Sequence, residues 1–355
     1  MLCDPVPLEE REISFTNLNA LLPTPRLVEI DIDLLPANWA AFCAKHNIKP
    51  HVAVLYENRA ETGKLYPASA VAAYGVNDGE HCGSDTAIDS TSGGYALGWA
   101  EVIRFYKERE PNFPIKRFIA VVPSSLPKGK RNLLENAGVE LVHAPDAVSA
   151  MARAKDLAQE EGYWYTNQYG NPNNSRGYRR IALHIAERLP NLGMVAWGVG
   201  SGGGCSGVMP VFRHCFRFPG RSHDFSRIAV VVEDCQKVGG VRDEAALEPG
   251  TNDWRGNNID GVRIVGEDAS YRISAAIWRQ KERRPLDACL GGPSTGFAIE
   301  GAMLACRERA LIRTLDAIRA PDGFVHVLTP SLDNRRPYRK EYEEKGVYLA
   351  ESEWE

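Results

Sequence analysis

Hydrophobic and polar positions change period repeatedly along the chain, and the changes lay out alternating strands and helices. Lys116 to Val122 is a short, β-rich apolar run that predicts a buried strand, and Lys128 to Ala137 has the spacing of a helix. Val139 to His143 then reads as a strand and Ala147 to Glu160 as an alanine-rich helix. Upstream, Thr86 to Asp89 is a short strand followed by a helix running to about Tyr106. Downstream, the alternation resumes with a helix over Ser175 to Arg188 and strands at Met194 to Trp197 and Ile228 to Val232. A long helix from about Phe297 to Arg319 completes it. Repeated βαβ units predict an α/β fold with parallel, doubly wound sheets, and the irregular stretches at 56–70 and 237–262 fit two lobes better than a barrel. Asn167 to Asn174 is polar and rich in Asn, Gly and Pro, as expected of a lobe crossing or a ligand loop.

The strand at Met194 to Trp197 runs straight into Gly198-Val199-Gly200-Ser201-Gly202-Gly203-Gly204. Without Cβ atoms such a turn lets successive N–H groups approach an anion, and the following helix turns its positive end to the same charge. The loop therefore predicts a phosphate-bearing ligand. Gly198, Gly200 and Gly203 also satisfy the spacing of a dinucleotide fingerprint, with Glu233 closing the next strand, so a nicotinamide-dependent oxidoreductase stays open on these residues.

Composition narrows the partner. The chain has 355 residues, 44% hydrophobic and 25% charged, enough for one large or two medium domains with ample cores. A net charge of −4 with interspersed signs predicts neither a nucleic-acid surface nor a polybasic membrane arm. No apolar run approaches the length of a membrane span, and the start lacks the basic and apolar regions of a signal peptide, so a cytoplasmic protein is expected. Eight cysteines without Cys-x-x-Cys pairs predict buried thiols and no metal site. Cys205 reads as a small buried filler more readily than as an oxidant sensor, and Tyr95 as a pocket aromatic more readily than as an acid.

Taken in order, the motifs resemble those of the cysteine synthase and cystathionine β-synthase family, the fold type II (β-family) enzymes dependent on pyridoxal phosphate. Thr24-Pro25-Arg26-Leu27 resembles the family's opening Thr-Pro-Leu, and Thr91-Ser92-Gly93-Gly94-Tyr95-Ala96 its substrate loop Thr-Ser-Gly-Asn-Thr-Gly. Gln168-Tyr169-Gly170-Asn171-Pro172-Asn173-Asn174 is similar to Gln-Phe-x-Asn-Pro-Ala-Asn, Gly200 to Gly204 to Gly-Thr-Gly-Gly-Thr, and Gly292-Pro293-Ser294-Thr295-Gly296 to Gly-Ile-Ser-Ser-Gly. The likeness runs from about Leu22 to Ser331. Lys64 lies 28 residues before Ser92, the spacing of the family's Schiff-base lysine.

The resemblance implies a fold like that of tryptophan synthase β, with pyridoxal 5′-phosphate in the cleft between the lobes. Its boundaries would be an extension at 1–22, a large phosphate-binding lobe from 23–60 and 175–334, a smaller mobile lobe at 61–174, and a tail at 335–355. It implies Lys64 as the catalytic amine, Gly200, Ser201, Gly202, Gly203 and Gly204 at the phosphate, and Ser294 at the pyridine nitrogen. Thr91, Ser92, Gly93, Gly94, Tyr95 and Asn167 would line the substrate site. The implied reaction is β-replacement on a β-substituted L-amino acid, such as an O-activated serine or a cysteine, through aminoacrylate. β-Elimination by a dehydratase or desulfhydrase differs only in the fate of that species. The implied partners are an amino acid, a small nucleophile and a second copy of the chain as a homodimer. Gly94, Tyr95, Asn167 and Gly204 replace the family's Asn, Thr, Gln and Thr, which marks a divergent member. A non-catalytic relative is the reading motivated by Gly94 and Tyr95, and retention of Lys64 and Ser294 argues against it.

Overall fold

The structure is a computed structural model that describes residues 15–56, 58–216, 223–234, 236, 238, 241, 259–278, 291–334 and 336–348. Residues 1–14 of the N-terminal extension, most of the stretch 237–262, and the tail beyond residue 348 lie outside the described residues.

Strands are β1 (Arg26–Glu29), β2 (Ile48–Val54), β3 (Thr86–Ser90), β4 (Arg117–Pro123), β5 (Glu140–Ala144), β6 (Trp164–Tyr165), β7 (Leu192–Gly198), β8 (Ser226–Val232), β9 (Gly261–Val265) and β10 (Val325–Ser331). Helices are α1 (Leu18–Leu21), α2 (Ala37–His46), α3 (Leu65–Asn77), α4 (Gly94–Arg109), α5 (Lys128–Asn136), α6 (Ala147–Glu161), α7 (Pro172–Arg188), α8 (Gly203–Phe216), α9 (Glu267–Trp278), α10 (Pro293–Leu311) and α11 (Arg339–Glu344). They build two sheets. One has six strands in the order β1-β2-β10-β7-β8-β9, parallel except for β1 against β2; the other has four parallel strands in the order β5-β4-β3-β6. The smaller sheet draws on residues 86–165 and the larger on residues from both sides of that segment, so the chain leaves one sheet, builds the other and returns.

Strands β7 and β8 are buried almost throughout, as parallel strands covered on both faces must be. Two expectations change. The stretch called irregular at 56–70 contains the start of α3, a helix with Leu65 to Ala73, Gly75 and Val76 all buried. A helix apolar all round has no amphipathic period to read, and Pro67 is tolerated because it lies in the first turn. The last long helix begins at Pro293, not Phe297, and ends at Leu311, where Arg313 takes φ 59. The described parts of the flanking segments pack on the body of the fold: Asn19 Nδ2 donates to Tyr66 O at 2.8 Å, and Tyr338 and Tyr342 are buried against the larger sheet's core.

Candidate active site

Lys64 stands at the N-terminal end of α3, in the turn that joins the two sheets. Its backbone N–H donates to Thr62 Oγ1 at 3.1 Å, and Gly63 N–H donates to Leu332 O at 2.6 Å, so the extension of β10 fixes the turn. The α4 backbone passes close beside it: a Cβ at Gly98 would lie 2.8 Å from Lys64 O, and one at Gly94 would lie 3.3 Å from Lys64 Cγ. A Cβ at Gly94 would also meet Thr62 Oγ1 at 3.1 Å, so this position packs tightly on the turn that carries the lysine stem.

The glycine loop joins the end of a strand to the start of a helix. It leaves β7, takes φ +77 at Gly202 and enters α8 at Gly203, whose first-turn N–H groups have no acceptor within the helix. Lys64 Nζ donates to Ser201 Oγ at 3.2 Å, joining residues 137 positions apart. Gly200, Ser201, Gly202 and Gly204 line a recess with Lys64 and Ser294, and among the described residues no acidic side chain lines it. Gly203 sits deeper, against the side chain of Asn174, and a Cβ at Gly204 would fall 2.3 Å from Trp197 Nε1. An amine, a hydroxyl and a helix N-terminus converging without a carboxylate form a donor set that fits a phosphate ester.

The recess opens into a cleft of about 860 Å³ between the sheets. Thr91, Ser92, Gly94 and Tyr95 line its smaller-sheet wall, while Gly93 lies behind them with φ 111. Thr91 Oγ1 accepts from Gly93 N–H at 2.9 Å. Tyr95 is 1% exposed and packs edge-on against Trp99 and Phe118, and burial raises its phenol pKa above the usual range; it shapes the wall from the core side.

Asn167 does not reach this cleft. It adopts φ 49, accepts from Gly170 N–H at 3.2 Å and lines a separate pocket of about 570 Å³. Its neighbour Gln168 faces the cleft instead. The cause is Asp89, wholly buried at the end of β3, whose Oδ2 accepts from Thr166 Oγ1 at 2.6 Å and Gln168 N–H at 2.7 Å. The carboxylate pins the loop on both sides of Asn167, turning that side chain out and Gln168 in. Of the expected substrate-site residues, Asn167 is thus the one that the structure places in a separate pocket.

Sequence reading also missed a polar cluster where the walls meet. Ser294, at the start of α10, donates to Asp333 Oδ1 at 2.9 Å; Tyr338 donates its hydroxyl proton to Asp333 Oδ2; Lys130 Nζ lies 3.6 Å from the same oxygen and 4.6 Å from the Tyr338 ring centroid. Lys130, within the helix expected over Lys128 to Ala137, is only 6% exposed. Desolvation holds its pKa below the usual lysine value although Asp333 pulls upward. Cys205 is buried behind the glycine loop with its thiol pushed up to about 12 by desolvation, which makes it the packing residue expected.

The family model for pyridoxal-phosphate dependent enzymes matches residues 40–310. The chain belongs to that family. Relatives include a cysteine synthase of Staphylococcus aureus, 24% identical over 300 residues that cover 79% of this chain and 88% of the relative. Among solved structures, an O-acetylserine dependent cystathionine beta-synthase from Helicobacter pylori superposes with a TM-score of 0.72 at 19% identity, covering 94% of this chain and 99% of that one. An O-ureido-L-serine synthase gives 0.70 at 19% identity, covering 96% and 98%. The fold is therefore the fold type II architecture, and the cofactor of this pyridoxal-phosphate-dependent enzyme family fits the donor set at the head of α8. The nicotinamide reading is not favoured, because the family that the chain matches uses pyridoxal phosphate. No helix among the described residues is long and apolar enough to cross a membrane, and no cluster of metal-ligating side chains occurs among them.

Proposed function

We propose that the enzyme catalyses β-replacement on an O-activated L-serine, joining a small nucleophile to the substrate Cβ. The observation that carries this is the approach of Lys64 Nζ to Ser201 at the head of α8, opposite the wall built by Thr91 and Ser92. The names of the relatives, a cysteine synthase and synthases acting on O-acetylserine or making O-ureidoserine, support an O-activated serine as the substrate class.

Pyridoxal phosphate, when bound, supplies an electron sink for negative charge at the substrate Cα. Gly200, Ser201, Gly202, Gly203 and Gly204 hold its phosphate through backbone N–H groups and the Ser201 hydroxyl. Ser294 takes the ring nitrogen. Thr91, Ser92 and Gly93 hold the substrate carboxylate at the start of α4, with Gln168 in the place first given to Asn167. Lys64 would anchor the cofactor covalently until the substrate amine takes its place there and releases the lysine as a free amine. Its Nζ would then accept the Cα proton as the Cβ oxygen departs with its bonding electrons, and return a proton to Cα after the nucleophile has bonded to Cβ. Gly94 packs on the turn that carries the lysine stem, and Tyr95 fixes the width of the wall.

The lobe boundaries at 23–60 with 175–334 and at 61–174 belong to the same proposal, with the smaller lobe closing on substrate. So do a homodimer and a cytoplasmic setting, the latter suited to the free Cys43, Cys82, Cys205, Cys215 and Cys306. The test is the visible spectrum of purified protein with and without Lys64→Ala. Wild type should show the absorbance of a lysine-bound cofactor, the variant should lose it, and O-acetylserine with a thiol nucleophile should yield the substituted amino acid. A variant that keeps the covalent band would remove Lys64 from the mechanism.

A further inference from the structure

A serine facing a ring nitrogen can donate or accept, and the direction of its proton decides which form of the nitrogen it favours. Ser294 is 7% exposed and donates to Asp333 Oδ1 at 2.9 Å, so its proton is committed to that carboxylate and its lone pairs remain for a donor. We propose that Asp333 is a positioning residue acting through Ser294: it holds the hydroxyl as an acceptor, so that the cofactor ring nitrogen is favoured in its protonated form. This rests on the placement of Ser294 given above and goes beyond it, because serine alone would leave the nitrogen unprotonated.

The carboxylate is built into the site from several directions. Asp333 O accepts from Gly292 N–H at 2.8 Å, tying it to the turn that carries Ser294, and its backbone bridges Thr62 beside Lys64. The groups facing the Ser294–Asp333 pair are Lys130 from α5, Tyr338 and Glu341 from the C-terminal segment, Tyr271 from α9, and Lys64 across the recess. Lys130 opposes the effect, since a cation at 3.6 Å offsets the carboxylate field that Ser294 transmits. The two residues therefore act on the nitrogen with opposite sign, Asp333 raising its basicity and Lys130 lowering it.

The experiment reconstitutes the holoenzyme with pyridoxal phosphate labelled with nitrogen-15 in the ring and follows its chemical shift against pH, without substrate. Wild type should titrate with the nitrogen more basic than in Asp333→Asn, whose resonance moves downfield toward unprotonated pyridine at neutral pH. Ser294→Ala should give the same downfield position, and the double variant should go no further. Lys130→Met and Tyr338→Phe, which strip partners from Asp333 and would merely loosen a structural cluster, should instead make the nitrogen more basic. An unchanged titration in Asp333→Asn, or a downfield move in Lys130→Met, overturns the proposal. Failure of the underlying reading shows separately, as a covalent visible band that survives Lys64→Ala.

Discussion

Replacing Asp89 tests whether one buried carboxylate sets which residue of the Asn167–Gln168 pair faces the cleft. The side chain is wholly buried and accepts from Ser90 N–H at 2.8 Å on Oδ1, and from Thr166 Oγ1 at 2.6 Å and Gln168 N–H at 2.7 Å on Oδ2. Asp89→Ala leaves two buried backbone N–H groups without acceptors, at about 1–3 kcal/mol each, whereas the Thr166 hydroxyl can turn to another partner. A loss of roughly 3–5 kcal/mol follows. Asp89→Asn keeps the two Oδ2 bonds if the amide oxygen takes that position, but sets its NH₂ against Ser90 N–H, for a loss of about 1–3 kcal/mol. Equilibrium urea unfolding reads the difference. With a slope of about 2 kcal/mol per molar, the alanine variant should unfold about 2 M earlier and the asparagine variant about half as far displaced. Hydrogen exchange at the Gln168 amide should accelerate in both. A midpoint for Asp89→Ala within about 0.3 M of wild type would refute the assignment of the loop's orientation to this residue.

Gly204→Ala should weaken pyridoxal phosphate binding at least tenfold, about 1.4 kcal/mol, because its Cβ would fall 2.3 Å from Trp197 Nε1 and force the loop to shift; fluorescence titration of apoprotein measures it. Cys205, pushed up to about 12, should resist iodoacetamide at pH 8 in folded protein while exposed Cys82 reacts, as mass spectrometry of alkylated peptides would show. Burial, with His326 and Lys49 adding, pushes His51 down to about 4 from 6.5, so the unfolded chain binds the proton first and stability is lost as pH falls from 6.5 to about 4. The loss, about 3 kcal/mol in order of magnitude, should shrink in His51→Gln when unfolding midpoints are compared across that range.

Much of the fold is legible where one face of an element meets solvent. Strand β4, helix α5, strand β5 and helix α6 fall within two residues of their expected bounds, because buried strands and half-exposed helices leave distinct periods. Helix α3 is invisible for the opposite reason: almost every side chain from Leu65 to Val76 is buried, so its composition carries no stripe. The same distinction governs the site. Lys64 and the glycine loop announce themselves by spacing and chemistry. Asn167 is turned away from the cleft, and Gln168 into it, by a buried carboxylate on another strand, and Lys130 looks like any lysine on a helix.

What sequence order leaves open is closure. Strand β10 lies between β2 and β7 in the larger sheet, so it is flanked by segments more than a hundred residues earlier in the chain. Its extension, Leu332-Asp333, receives hydrogen bonds from Gly63 N–H and Gly292 N–H. Two backbone bonds thus fix the turn bearing Lys64 and the turn bearing Ser294 to one two-residue segment, and the Asp333 side chain adds Lys130 from the smaller sheet's wall. A displacement of the Leu332-Asp333 segment therefore disturbs the turn of Lys64, the Ser294 hydroxyl and Lys130 together. That makes the region around residue 333, with no motif of its own, the place where one substitution should perturb both walls of the cleft at once.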